Sequence, residues 1–463
     1  MARFRPINRD IEYLFPPSVQ DWLPETHLAR YIANVIESLD LSEIEQAYAG
    51  RGSEAYHPAS LMSLLIYGYA TGVFSSRKIE MATYDSVAFR YLACNRHPDH
   101  DTLATFRRRF GEKFQALFVQ VLQIAQANRL SQFGTVSLDG TKLHANASRH
   151  SALSYGHAEK LEAQLKEEVQ QLLAQAESAD AAKLPEGLSV PSEIARRQDQ
   201  LAAIAAAKAK IEARAKARYE REKAEFDAKL AAREDKAAKP GKAAKAGKKP
   251  GGKPPAPPSA TPREEDQINL TDDASRIMKV AGGGFEQCYN AQAVVDTETM
   301  LVMVPEVTQA ANDKQQVEPM LEKLRTLPEG LNAPKKLLAD AGYFSEGNVQ
   351  ACHKAEVTPL IAPGREGHHP HWRERFSEPQ PLAEDATAVE AMKHALKTQA
   401  GRQAYALRKQ TVEPVFGIIK SVMKFRQFLL RGLANVRNEW TLVCLAWNLK
   451  RMAVLRPNSV QRA

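Results

Sequence analysis

The chain has 463 residues, 44% of them hydrophobic, a length that exceeds one simple core and implies two or three domains. No apolar run is long enough to span a bilayer, and Met1-Ala2-Arg3-Phe4-Arg5-Pro6 lacks the apolar core of a secretion signal. Cys94, Cys288, Cys352 and Cys444 are scattered, which argues against a disulfide framework or a zinc site and fits a reducing cytoplasm, while 63 Lys and Arg against 55 Asp and Glu, a net +8, suit a polyanionic partner.

Residues 1–130 read as helical: Leu61, Leu64, Leu65 and Tyr69 fall at helical spacing, as do Ile79, Ala82 and Tyr84. Asp99-His100-Asp101-Thr102 offers an N-cap for one helix running through Phe106, Phe110, Phe114 and Phe118. Arg107, Arg108 and Arg109 on that helix are either a solvated face or the basic helix of a helix-turn-helix-like DNA-binding module.

From residue 131 the pattern changes to strands. Thr135 to Leu138 leads to Asp139, and Lys142 to Ala145 follows; after a long interruption come Gln287 to Val295 and Met300 to Val304. A helix is expected over Gln315 to Leu324, a strand over Lys335 to Ala339, a helix over Asn348 to Ala355 and a strand over Thr358 to Ala362. Three strands, a helix, then alternating strand and helix predict a mixed sheet covered by helices.

The interruption is rich in Ala, Glu, Lys, Gln and Arg. Leu184-Pro185-Glu186-Gly187 stops a first helix (His157 to Ala182) before a second (Ser192 to about Lys236), with stripes at Leu161, Leu165, Val169 and Leu172 and at Leu201, Ile204, Ile211, Phe226 and Leu230. An antiparallel helical hairpin is expected. Lys239 through Pro258 is a flexible Lys/Pro/Gly-rich linker. His368, His369 and His371 lie in a second irregular stretch and, with no Cys or regular acidic partner nearby, read as a loop rather than a metal site.

Three segments carry chemistry. Asp139 and Asp340 each close an apolar run, as strand-end carboxylates do where a layered sheet binds ligands, although Asp-Gly is also an ordinary turn. Two carboxylates side by side repel, which raises the pKa of one unless a cation sits between them. Glu413 lies among Tyr405, Arg408, Lys409, Lys420 and Lys424, near one face of an expected helix opposite Val415, Ile418 and Ile419. Pro414 predicts a kink or a fresh helix start there. Converging carboxylates suit hard divalent cations and phosphodiester chemistry.

These blocks resemble a known family. Asp139-Gly140-Thr141-Lys142-Leu143-His144-Ala145-Asn146-Ala147-Ser148, Asp340-Ala341-Gly342-Tyr343 and the Tyr405 to Lys420 segment resemble the signatures of bacterial insertion-sequence transposases of the DDE type, in the branch with an InsH-type N-terminal domain (the eleven-eighty-two-like group). Glu413-Pro414-Val415-Phe416-Gly417 with Lys420 is the most specific piece. Asn269-Leu270-Thr271-Asp272 with Ser275-Arg276, Tyr289-Asn290-Ala291-Gln292, and Arg431-Gly432-Leu433 leading to Glu439-Trp440 are similar to that branch too. One departure is plain: in the superfamily's Tyr–Arg–Glu–Lys signature three residues separate Arg from Glu, whereas here Lys409 takes that place and Arg408 lies one position further away.

The resemblance implies an α/β architecture with an RNase H-like mixed-sheet catalytic core (131–150 and 270–455) and an all-α N-terminal DNA-binding domain (1–130). It covers nearly the whole chain except the helical hairpin insertion (151–236) between the early core strands and the flexible linker (237–265), which composition and periodicity mark. It implies that Asp139, Asp340 and Glu413 are catalytic and hold two Mg²⁺ ions, for which Mn²⁺ can substitute. Lys420, Tyr405, Arg408 and Lys409 would hold phosphates near the cut, and Arg107 and Arg109 would serve recognition of the element's terminal repeats. The implied partners are double-stranded DNA, both terminal inverted repeats and target, and a second copy of the chain in a synaptic homodimer, with no membrane. The implied location is the bacterial cytoplasm, on the nucleoid when bound. The alternatives are a degenerate transposase that only binds DNA and a metal-dependent structure-specific nuclease on the same core.

Overall fold

Between residues 18 and 130 the apolar side chains recur at helical spacing, and the described chain there is helical. The computed structural model describes residues 18–48, 54–130, 133–177, 189–238, 257–364 and 377–455. The chain forms two compact units, one of Met1–Asn146 with Ile277–Ala463 and the other of Ala147–Arg276. Most of the Lys/Pro/Gly-rich linker and the three histidines His368, His369 and His371 lie outside the described residues.

The first unit begins with helices α1 (Leu28–Glu37), α2 (Ser42–Gln46), α3 (Pro58–Thr71), α4 (Ser76–Asp85), α5 (Val87–Leu92), α6 (His100–Phe110) and α7 (Phe114–Ala127). His27 and His57 cap α1 and α3 by accepting a backbone N–H at Nδ1, and Pro58 opens α3, where a missing N–H does no harm. Leu61, Leu64, Leu65 and Tyr69 are all buried on α3. Ile79 is buried on α4, whereas Tyr84 is exposed and stacks on His97.

Asp99 caps α6 as the sequence predicts, its side chain accepting from Thr102 N at 2.6 Å. The single helix expected through Phe118 is instead two, because the chain tightens into a 3₁₀ turn at Gly111–Lys113. The four phenylalanines stay buried on both sides of the break, so packing of the apolar stripe survives the change of helix.

The sheet follows. Strands β1 (Thr135–His144), β4 (Arg276–Lys279), β5 (Phe285–Asp296), β6 (Val302–Thr308), β7 (Lys336–Ala339) and β8 (Thr358–Ile361) join in the order β4-β5-β1-β7-β8, with β6 also paired to β5. β1 runs antiparallel to β5 and parallel to β7, and β7 parallel to β8. With the helical N-terminal region this is the mixed α/β architecture of an RNase H-like core. β1 is central and continuous through Asp139, so the expected break of the strand at that residue does not occur. The antiparallel ladder with β5 carries it on as far as His144.

Helices α10 (Val317–Arg325), α11 (Glu346–Lys354), α12 (Ala388–Lys397), α13 (Gln399–Ser421) and α14 (Leu433–Leu455) complete this unit. α13 is one helix with Pro414 inside it, not a kink or a restart. A helix-interior proline costs roughly 3 kcal/mol. Thr411, Val412, Val415, Phe416 and Ile419, buried on both sides of it, offset that loss. The helix ends at Ser421, and Lys424 lies beyond it, exposed at φ 62°, so it does not share the Glu413 face.

In the second unit, β2 (Ala152–Ser154) pairs with β3 (Gln267–Asn269), and helices α8 (Tyr155–Glu177) and α9 (Val190–Ala238) form the expected antiparallel hairpin. Leu165, Ile204 and Ile211 join Leu153, Ala158, Ala207 and Ile268 in its core. Ion pairs fix the antiparallel sense: Glu162 meets Lys208 at 2.9 Å, and Glu168 meets Arg197 at 2.7 Å.

Candidate active site

Asp139 follows Val136-Ser137-Leu138 on the central strand. The parallel ladder from β1 to β7 ends at the pair Leu138 and Ala339. The next residues are Asp139, still within β1, and Asp340, just past the end of β7, so the two stand side by side at the same level of neighbouring stretches of chain, roughly 4.8 Å apart. Asp340 caps the 3₁₀ turn Ala341–Tyr343, its Oδ1 accepting from Gly342 N at 2.8 Å.

Burial pushes the pKa of Asp139 up to about 6, with the charges of Asp340 and Asp313 adding to it. The Gly140 N–H, which donates to Asp139 Oδ1 at 2.8 Å, and the Arg408 guanidinium work in the opposite direction. The sequence leads one to expect repulsion between side-by-side acids; here burial is the larger cause, and the Asp340 charge adds to it.

α13 supplies the third carboxylate. Glu413 is half-exposed, and Arg408 lies almost buried between it and the strands, Nη2 at 2.8 Å from Glu413 Oε1 and Nη1 at 3.4 Å from Asp139 Oδ2. The residue that departs from the family spacing is therefore the one that joins the two carboxylates. Spacing along a helix compares only single faces, whereas a planar, forked guanidinium on a long stem can reach two acceptors at once. Lys409, in the family's arginine position, is exposed.

Tyr405 is half-buried, and burial raises its pKa against the nearby charge of Arg408. Lys420 donates to Thr141 Oγ1 and reaches Lys142 O at 3.4 Å, so it is tied to β1 just beyond Asp139, and burial lowers its pKa. Arg107 and Arg109 stand elsewhere. Arg107 Nη1 donates to Tyr69 Oη at 2.9 Å, and Arg109 stacks over Tyr48 and Phe110 while donating to Ala47 O. Arg108 and Arg109 are both exposed, and Arg107 is half-buried.

Sequence reasoning missed Asp313, in the loop between β6 and α10. Both Asn290 Nδ2 and Gln292 Nε2 donate to its Oδ1 at 2.6 Å. A signal for it existed: β5 is otherwise apolar from Cys288 to Val295, and two wholly buried amides on such a strand require polar partners. Gly140 is explained by the same cluster. A Cβ there would stand 2.8 Å from Asp313 Oδ1 and collide with the Gln292 amide nitrogen, so a side chain would have to push this hydrogen-bonded cluster aside.

Among the described residues no three His, Cys, Asp or Glu side chains converge tightly enough to hold a metal ion as they stand. The donor set nevertheless fits a hard divalent cation: carboxylate oxygens only, two of the carboxylates side by side, with a guanidinium spanning Asp139 and Glu413. Among the described residues no helix is long and apolar enough to cross a membrane.

A family model described as Transposase DDE domain matches residues 245–449, and one described as Transposase domain (DUF772) matches residues 17–109. The first match takes in Asp340, Arg408, Glu413 and Lys420 and begins after β1, so Asp139 joins the site through the sheet register. No curated protein and no solved structure matches the chain.

Proposed function

The chain belongs to the DDE transposases, and from that premise we propose that it binds the terminal repeats of an insertion sequence, cleaves phosphodiesters there and joins the freed 3′-hydroxyls to target DNA by two-metal in-line transesterification. The observation that carries the reading is the in-register placement of Asp139 beside Asp340, with Arg408 linking Asp139 to Glu413.

Asp139, Asp340 and Glu413 are the groups that would hold Mg²⁺, or Mn²⁺ in its place. Bound there, the cations would supply Lewis acidity toward the scissile phosphate and activation of the attacking hydroxyl. Arg408 has a second task in this scheme: once the carboxylates are neutralised, its guanidinium is available to a phosphate oxygen. Tyr405, Lys409 and Lys420 extend the contact along the backbone and position the DNA without reading its sequence. In the joining step the 3′-oxygen forms a bond to a target phosphorus as the bond from that phosphorus to its own 3′-oxygen breaks. Synapsis of two ends calls for a homodimer. Among the N-terminal arginines the exposed Arg108 suits DNA contact better than Arg107, whose guanidinium is engaged with Tyr69.

The test is cleavage and strand transfer on DNA carrying the element's ends, with Mg²⁺ titrated. Asp139→Asn, Asp340→Asn and Glu413→Gln should each lose at least about a thousandfold in cleavage while still retarding end DNA, a loss on the scale of removing a transition-state interaction. Near-normal cutting by any of them removes that residue from the site. Wild-type binding with no metal-dependent cleavage would mark a degenerate DNA-binding protein, and cleavage without joining a nuclease.

A further inference from the structure

On the face of the sheet behind Asp139, Asp313 organises a polar network that the proposed chemistry does not use directly. Asn290 gives its nitrogen to Asp313 and to Ala310 O, at 3.1 Å, and leaves its oxygen without a hydrogen bond among the described residues. The carboxylate therefore decides which way that amide faces. With its nitrogen held by Asp313, Gln292 presents Oε1 to the Tyr343 hydroxyl, which donates to it. Tyr343 is wholly buried and closes the turn that Asp340 caps. A second tie runs alongside: Asn348 Nδ2 donates to Tyr343 O at 2.6 Å and to Lys314 O at 2.7 Å, joining the Asp340 turn to the residue after Asp313. Gly140 leaves the space through which the cluster comes up against the back of Asp139.

We propose that Asp313 is a positioning residue of the carboxylate site: it orients the Asp340 turn through Gln292 and Tyr343 and adds negative charge behind Asp139, so that Asp139 and Asp340 hold a divalent cation more tightly than they would alone. The inference rests on the reading of those two residues as cation ligands. Lys142, whose Nζ lies 3.9 Å from Asp313 Oδ1, offsets part of that charge. Asp313 Oδ1 nevertheless stands 2.8 Å from where a Cβ of Gly140, the residue next to Asp139, would lie, and a carboxylate that close adds to the attraction for a cation.

The experiment measures binding of Mn²⁺ alone to the full chain by calorimetry or electron paramagnetic resonance, beside the Mg²⁺ dependence of end cleavage. Asp313→Asn keeps the shape and one acceptor oxygen but loses the charge. It should weaken Mn²⁺ binding about tenfold, as expected for removing one nearby charge partly screened by its surroundings. The Mg²⁺ concentration for half-maximal cleavage should rise in parallel, with the rate at saturating Mg²⁺ and the melting temperature close to wild type. Tyr343→Phe, which breaks only the link to the Asp340 turn, should weaken Mn²⁺ binding about threefold. Wild-type Mn²⁺ affinity in both variants overturns the proposal, with or without a lower melting temperature, because a purely structural bridge would change melting alone. Asp139→Asn and Asp340→Asn are the reference. If they too bind Mn²⁺ as wild type, the reading of the site fails; if they lose it while Asp313→Asn does not, only the role of Asp313 fails.

Discussion

At the scale of single residues, the charge on Asp139 is disfavoured by its own surroundings, with burial first and then Asp340 and Asp313 lifting its pKa to about 6 from 3.8. The unfolded chain releases this proton near 3.8 and the folded chain near 6, so the folded state is favoured while both forms are protonated and loses stability as pH rises through that window. The loss is complete above about pH 6 and is on the order of 3 kcal/mol, reduced in practice by the screening that reaches a partly open site. Asp139→Asn removes the penalty and leaves Arg408 its stronger contact, to Glu413. In chelator, the variant should be more stable than wild type by about 1–3 kcal/mol near pH 8 and equal to it near pH 4. Urea unfolding at the two pH values checks this, and a gain that does not change with pH would refute it. Added Mg²⁺ should narrow the difference near pH 8, since ligand binding stabilises only the form that binds it.

At the scale of elements, α13 carries Tyr405, Arg408, Glu413 and Lys420, and two of its glycines make opposite predictions. A Cβ at Gly401 would drive into the backbone carbonyl of Ala395 at the junction with α12, and a backbone atom cannot step aside as a flexible side chain can. Gly401→Ala should cost about 1–3 kcal/mol and slacken the start of the helix. Gly417, in the same helix, has open space where a Cβ would stand, with nothing within 4 Å, so Gly417→Ala should stabilise by about 0.5–1 kcal/mol. Melting curves of the two variants decide the matter, and shifts of the same sign would mean that the helix is not held at its start in this way. The elements themselves were largely legible in the sequence, because β5, β6, β7, β8, α10 and α11 each carry their own apolar period. What local pattern could not show was how elements answer one another. Pro414 argues against a continuous helix until Val412, Val415 and Phe416 are seen to be buried on either side of it. Arg408 looks misplaced by spacing until β1 is brought beside α13. Asp313 lies in a polar loop with no periodicity at all, and only the two buried amides of β5 pointed to a missing partner.

At the scale of the first unit as a whole, Glu439 on α14 binds the helical layer to the core. It is wholly buried and accepts from Tyr69 Oη of α3 at 2.7 Å and from the backbone N–H groups of Leu429 and Leu430 at 2.9 and 3.0 Å. Burial raises its pKa, against those hydrogen bonds and the charge of Arg107. The same helix faces the sheet: Trp440 Nε1 donates to Gln292 O at 3.0 Å, and Asn448 exchanges two 2.8 Å hydrogen bonds with the backbone of Val302. A helix bonded to both layers should make them unfold together. Glu439→Ala strands two backbone donors and the Tyr69 hydroxyl and leaves Arg107 without its nearby negative charge, a loss of about 3–5 kcal/mol by analogy with breaking other buried polar pairs. Tyr69→Phe, which removes only one hydroxyl, should cost about 1–2 kcal/mol. Native-state hydrogen exchange can follow peptides of α3 and of β6 separately. In Glu439→Ala both should lose protection by the same free energy. If α3 opens while β6 keeps wild-type protection, the helical layer folds and unfolds on its own, and Glu439 is a local contact rather than the joint of the unit.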